Sequence, residues 1–179
     1  MSGHSHWAGI KHKKELTDKK KGKIFSKIAK TIEIAARKGG DPDMNSSLRL
    51  AIEKARSVNM PNDNIQRAIK KGTGEDKAGK LEEVTYEAYG PQGTPLIIET
   101  ITDNKNRTLS EIKHILNSYG GKLAETGSVK YLFDKKDGDW IPKYPIDITN
   151  ENLKQQLEKL FETLDENDDV NDIYSNVNL

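Results

Sequence analysis

Lysine and histidine side chains that could bind phosphate groups are concentrated near the beginning of the chain. A basic run of Lys11, His12, Lys13 and Lys14 follows Trp7. The lysines that then recur at spacings of three or four residues, here called the lysine row, are Lys20, Lys23, Lys27 and Lys30. Ammonium groups that neutralise nucleic-acid phosphates release counterions, which drives binding. These residues therefore predict a contact with a nucleic-acid backbone.

The lysine row lies on one side of a predicted helix. At about 100° per residue, it is separated from the side that carries Ile24, Phe25, Ile28 and Ile32. One face can therefore pack in a core while the other meets phosphates. The alternative is that these lysines only keep the helix soluble. The adjoining basic run favours binding.

Trp7 and the histidines near it have competing interpretations. Trp7 could stack on an unpaired base, but anchoring of the N-terminal segment to the helices is favoured because large aromatic side chains are usually buried. His4, His6 and His12 follow no spacing of a known metal site, and no cysteine completes one. We expect neither a metal nor a cofactor.

A secondary anion contact is open at Arg107. This residue lies in the segment TDNKNRT, between a predicted strand and a predicted helix. Backbone N–H groups at the start of the helix could hold an anion together with the guanidinium group. The competing interpretation, which we favour, is a helix cap formed by an Asx residue of this segment.

The sequence lacks the patterns of common catalytic sites. It contains no GxxxxGK[ST], GxSxG or HExxH motif, and the remaining histidine, His114, lies among ordinary helix formers. With no cysteine, it has no cysteine nucleophile, thiolate zinc site or disulfide. We therefore predict a protein that is not an enzyme.

Charge is segregated along the chain although the formal net charge is only +1. Residues 1–72 carry 17 Lys and Arg against 7 Asp and Glu, whereas residues 73–179 carry 12 against 21. This asymmetry is typical of a protein whose basic part meets a polyanion, and it leaves the acidic part for a protein partner. No apolar stretch resembles a membrane span or a signal peptide. We expect a cytoplasmic protein without a membrane partner.

Periodicity predicts helices first and strands later. The predicted helices are 17–38, 46–59, 61–72, 104–119 and a last one about Leu153 to Leu164; the predicted strands are 84–88, 95–102, 128–133, 140–148 and 170–177. Pro142 and Pro145 fit the predicted strand 140–148 only at a sheet edge or as an irregular segment. The predicted fold class is multi-domain: an N-terminal three-helix bundle followed by an α+β domain of split βαβ, ferredoxin-like type. The predicted parts are a basic arm (1–16), the helical bundle (17–72), a linker (73–80) and the α+β domain (81–179).

Several stretches carry a resemblance to a known family. GHSHWAGIKHKK, NMPNDNIQRAIKKG, YEAYGPQGT, TDNKNRT and GGKLAETGSV look like the YebC/PmpR family, which includes the mitochondrial translational activator of cytochrome c oxidase subunit I. The resemblance implies a helical domain followed by α+β domains, no enzymatic activity, and nucleic-acid binding by the basic N-terminal surface. Family members are described as probable transcriptional regulators that bind DNA, or are assigned to the ribosome and translation.

The chain departs from the family pattern in two places. In the arm, the family usually reads GHSKWANIKHRK, so that His6, Gly9 and Lys13 replace lysine, asparagine and arginine. Family members also carry a further α+β domain after Phe133, which is absent here between 134 and 139. Three functions stay open at this point: a DNA-binding transcriptional regulator, a translation activator bound to ribosomal RNA, and a protein-interaction adaptor.

Overall fold

The computed structural model describes residues 17–75 and 81–179. The chain divides into two compact units. The helical unit comprises the described residues up to 82 together with 101–103, and the sheet unit comprises 83–100 and 104–179. The finer predicted boundaries of arm, bundle and linker stay predictions.

Three helices form the helical unit: α1 (Asp18–Ala36), α2 (Ser46–Ser57) and α3 (Asn62–Gly72). Their apolar stripes meet in one core that includes Ile32, Leu48, Ala55 and Ile65. All three predicted helices are present, with ends within two residues of the predicted ones. The helix ends follow the local chemistry, since Gly39, which follows α1, has φ of 137° and favours a break in the helix.

A four-stranded sheet forms the centre of the sheet unit, in the order β3-β1-β2-β7. Its strands are β1 (Glu82–Tyr89), β2 (Pro95–Thr102), β3 (Lys122–Leu123) and β7 (Val170–Ser175). The helices of the unit are α4 (Lys105–Ser118) and α5 (Glu151–Glu166). Because β1 lies between β2 and β3, the unit β2–α4–β3 is a split βαβ unit. The predicted fold class, helices followed by an α+β domain, is confirmed.

Strand β2 is buried on both sides of the sheet. Leu96 and Ile98 pack in the core with α4 and α5, whereas Ile97 packs with Phe133 and Tyr174 on the opposite face. The second face is covered by a hairpin of β4 (Phe133–Lys136) and β5 (Asp139–Pro142). The remaining strands, β6 (Ile146–Asp147) and β8 (Val177–Asn178), pair in parallel.

Two strand predictions were wrong in detail. Within the predicted strand 128–133, Lys130–Leu132 forms a 3-10 turn, and only Phe133 lies in a strand. The predicted strand 140–148 is two short strands, β5 and β6, interrupted where Pro145 lacks the N–H group that a ladder requires. The short β3 was not predicted, because two residues carry no periodicity.

Candidate nucleic-acid interface

Helix α1 is oriented by its apolar side. Ile28, Ile32, Ala35 and Ala36 are buried in the helical core. The helix begins at the N-cap Thr17, and Asp18 in its first turn complements the helix dipole. The predicted apolar face is therefore the packed face, and the lysine row lies away from it.

The members of the lysine row differ in exposure. Lys20 is exposed, whereas Lys23, Lys27 and Lys30 are half-buried. Each of these three also interacts with another group of the protein. Lys20 is therefore the member of the row that is most available to an outside partner. The predicted arm residues Trp7, Lys11, His12, Lys13 and Lys14 lie outside the described residues.

A second set of cations lies on α3, outside the residues predicted for the interface. Arg67 and Lys71 are exposed and stand one helical turn apart. Both line a groove of about 630 Å³ between α1 and α3. Their four-residue spacing in the sequence places Arg67 and Lys71 on one face of α3. The spacing alone does not show that this face lies opposite α1. The structure adds this groove to the candidate interface.

Arg107 is engaged within the sheet unit. Its Nη2 atom lies 2.8 Å from Oδ2 of Asp169, and Thr108 Oγ1 donates a hydrogen bond of 2.9 Å to the same oxygen. Asp169 is buried. The Asx cap is present, since Asn104 Oδ1 accepts a hydrogen bond of 3.1 Å from the Arg107 backbone N–H. An anion at Arg107 would therefore compete with a buried carboxylate, and this contact stays a prediction.

In 17–75 and 81–179, no group of three or more His, Asp or Glu side chains is arranged to hold a metal ion. None of the helices in these ranges has the length and apolar composition to cross a membrane.

Comparisons with family models match two parts of the chain. Residues 5–75 match the model described as the TACO1/YebC protein N-terminal domain. Residues 81–138 match the model described as the TACO1/YebC second and third domain. The two matched segments together span most of the chain.

Curated relatives share the name "Probable transcriptional regulatory protein". One from Thermoanaerobacter pseudethanolicus is 43% identical over 241 residues, which cover 100% of this chain and 98% of the relative. Two others, from Caldanaerobacter subterraneus subsp. tengcongensis and Maridesulfovibrio salexigens, are 60% and 58% identical over 136 residues each. These alignments cover 75% and 76% of this chain but 56% and 55% of the relatives, so here the chain matches about half of their length.

A solved structure has a similar fold. The crystal structure of the conserved hypothetical protein Aq1575 from Aquifex aeolicus aligns with a TM-score of 0.82 and 33% sequence identity. The alignment covers 96% of this chain and 96% of the other.

Proposed function

The chain belongs to the TACO1/YebC family, and from this premise we propose that it is a non-enzymatic regulator of transcription that binds DNA through its basic N-terminal region. The observation that carries the proposal is the charge segregation, with 17 Lys and Arg against 7 Asp and Glu in residues 1–72. The name of the relatives supports a role in transcription. The basic region supplies the surface that would contact DNA. A DNA partner is compatible with the expected cytoplasmic location.

The contact surface in this proposal consists of the basic arm and the lysine row. Lys20 meets a phosphate directly because it is exposed. An ammonium group has three donors, so Lys23, Lys27 and Lys30 can each bind a phosphate in addition to the interaction that they already make. From the arm, Lys11, Lys13 and Lys14 would add phosphate contacts, with Trp7 and His12 beside them. The acidic sheet unit is left for a protein partner.

Ribosomal RNA is the second candidate partner. Arg67 and Lys71 line a groove against α1, which favours contacts with a nucleic-acid backbone over the reading of base edges. Backbone contacts carry no sequence information, and ribosomal RNA offers the same phosphates. A translation activator that binds the ribosome is therefore the alternative to a transcriptional regulator.

Replacement of lysines tests the proposed surface. In the variant Lys20→Gln/Lys23→Gln/Lys27→Gln, we expect weaker binding to a 20-base-pair DNA duplex and a slope of log K against log salt that is smaller by up to about 3. The control is Lys113→Gln/Lys136→Gln/Lys159→Gln, which removes the same charge from exposed positions of the sheet unit. If both variants bind with the affinity and slope of the unchanged protein, the lysine row is not the contact surface.

Sedimentation of cell lysate separates the two candidate partners. A transcriptional regulator should move with nucleoid DNA and be released by DNase. Movement with ribosomes that survives DNase and is lost after RNase would contradict DNA binding and favour the translation activator.

A further inference from the structure

A glycine inside α1 has no structural explanation within the helical unit. Gly22 lies in the second turn of the helix, between Lys21 and Lys23. Glycine lowers helix stability relative to alanine because its backbone loses more freedom on folding. Apart from its chain neighbours and the adjacent backbone of α1, no atom lies within 4 Å of a Cβ built at Gly22, and φ at Gly22 is not in the left-handed region. Neither packing nor backbone conformation therefore requires this glycine.

Gly22 lines the groove between α1 and α3. The α1 wall is a single helical stripe, in which Gly22, Ser26 and Lys30 follow at four-residue spacing. The α3 wall is a matching stripe of Asn64, Arg67 and Lys71. At about 1.5 Å per residue, the α3 stripe is about 10 Å long. Arg67 and Lys71 could therefore contact neighbouring phosphates of one DNA strand.

The charges of the groove favour an anion at its mouth. Arg67 and Lys71 are exposed, and within residues 17–75 and 81–179 neither side chain has an ion pair or hydrogen bond to another group. Two carboxylates also line the groove, but Glu33 is buried, with 8% of its surface exposed, and Asp103 already interacts within the protein. A buried carboxylate keeps phosphates away from the floor, so an anion would lie between Gly22 and the α3 cations.

We propose that this groove holds one strand of the DNA backbone, with its phosphates on Arg67 and Lys71 and with Gly22 leaving the α1 backbone bare for close approach. The inference rests on the proposed function and extends it from one helix to the pair. Lys20 lies two residues before Gly22 and Lys23 lies one residue after it. A DNA strand at Gly22 would therefore pass beside the lysine row. Because the contacts are to phosphates, the groove adds affinity and orientation and not base recognition.

The α3 wall is tested by a double variant with a matched control. Arg67→Gln/Lys71→Gln should weaken binding to a 20-base-pair DNA duplex about tenfold or more and lower the salt slope by about 2. The control Arg49→Gln/Lys70→Gln removes one arginine and one lysine from exposed positions of α2 and α3 that do not line the groove. Equal affinities of the two variants would overturn the proposal.

The role of Gly22 is tested by adding side chains at that position. Gly22→Ala and Gly22→Leu should raise or keep the melting temperature of the protein, since both residues favour helix and a Cβ has room. DNA affinity should fall, more for leucine than for alanine, because the side chain occupies the mouth of the groove. A gain in melting temperature without loss of affinity would show that no strand lies there.

These measurements separate the groove from the proposed function. If the unchanged protein binds DNA and only the lysine-row variant is impaired, the groove is wrong and the proposed function stands. If the unchanged protein binds no DNA, both fail. A single-stranded RNA of 20 nucleotides serves as a parallel probe: tighter RNA binding that is lost in Arg67→Gln/Lys71→Gln would assign the groove to RNA and overturn DNA as its occupant.

Discussion

Asn45 is a single side chain that joins the end of α1 to the beginning of α2. Its Oδ1 atom accepts a hydrogen bond of 3.1 Å from the Leu48 backbone N–H, and its Nδ2 atom donates to the carbonyl oxygens of Ala35 and Gly39, each at 2.8 Å. The residue is buried. The last carbonyl groups of α1 and the first N–H groups of α2 have no partners inside their own helices. The Asn45 amide forms hydrogen bonds with groups of both kinds.

Replacement of Asn45 by alanine should lower the free energy of unfolding of the helical unit by about 2–4 kcal/mol. The lost N-cap contributes about 1 kcal/mol, and each of the two lost amide–carbonyl hydrogen bonds contributes about 0.5–1.5 kcal/mol. Hydrogen exchange of the amides in α1–α3 measures this free energy for the helical unit itself. As a control, Thr17→Ala removes an exposed cap with one weak contact of 3.4 Å and should cost under about 1 kcal/mol. Equal losses in the two variants would contradict this role of Asn45.

Single residues also mark the limit of prediction from sequence at the interface. Helical periodicity correctly separated the lysine row from the apolar face of α1. It did not show that Lys23, Lys27 and Lys30 are half-buried while Lys20 is exposed, because exposure depends on groups distant in sequence. Arg67 and Lys71 were missed for the same reason, since their role depends on the position of α3 relative to α1.

At the scale of elements, one buried carboxylate organises the loop that connects β3 to the β4–β5 hairpin. Glu87 lies on β1, and its oxygens accept hydrogen bonds from the backbone N–H groups of Gly127, Val129 and Lys130 at 2.6, 2.8 and 2.8 Å. Burial alone would raise the pKa of Glu87, but these N–H groups and the nearby Lys130 ammonium together lower it below its ordinary value. The ionised carboxylate therefore stabilises this loop.

This carboxylate explains the failed strand prediction at 128–133. The residues Ser128, Val129 and Lys130 have an apolar and polar alternation that is compatible with a strand. Their backbone N–H groups at 129 and 130 bind Glu87 instead of a neighbouring strand. Such a contact joins residues more than forty positions apart and leaves no local signal. The strand 95–102 was predicted correctly because its apolar run and flanking turn are local features.

The lowered pKa of Glu87 predicts an acid-sensitive sheet unit. A carboxyl group whose pKa is lower in the folded protein stabilises the fold above the pKa of the unfolded chain, and this stability is lost as the pH falls through the folded pKa. The free energy of unfolding of Glu87→Gln, measured by urea denaturation and tryptophan fluorescence, should be about 1–3 kcal/mol lower at pH 7 than that of the unchanged protein. It should also depend less on pH in the acid range. Glu125→Gln, an exposed position in the same loop, should change neither quantity.

At the scale of the whole molecule, the chain closes the sheet unit at the position where the resemblance places an additional domain in relatives. The β4–β5 hairpin ends in a turn at Asp137 and Gly138, which both have positive φ (50° and 89°), as a type I′ turn requires. The alignment with the Thermoanaerobacter relative runs over 241 residues whereas the chain has 179. The longer relative thus contains residues without a counterpart in this chain. The absence of a domain between 134 and 139 stays a prediction.

The hairpin is held to the sheet by contacts that lie outside its turn. Trp140 Nε1 and Lys135 Nζ both donate to Glu99 Oε1 at 2.8 Å, and the Lys135 ammonium lies 4.4 Å from the centre of the Trp140 ring. The Tyr174 hydroxyl donates a hydrogen bond of 3.0 Å to Asp139. Since these contacts come from the strands, the identity and length of the turn itself contribute little. This arrangement would let a segment be gained or lost at the turn without rebuilding the sheet.

Insertion of ten glycine and serine residues between Asp137 and Gly138 should therefore be tolerated. Loop closure costs about 0.6 kcal/mol for each doubling of loop length, so the free energy of unfolding of the sheet unit should fall by only about 1–2 kcal/mol. The same insertion between Gln92 and Gly93 is the control, because that turn is packed: Pro91 and Thr94 are buried, and Gly90 N–H donates to the Thr94 carbonyl at 2.7 Å. The control should lose clearly more stability in urea denaturation followed by tryptophan fluorescence. If the two insertions lower the free energy of unfolding equally, the contacts of Trp140, Lys135 and Tyr174 do not hold the hairpin independently of its turn.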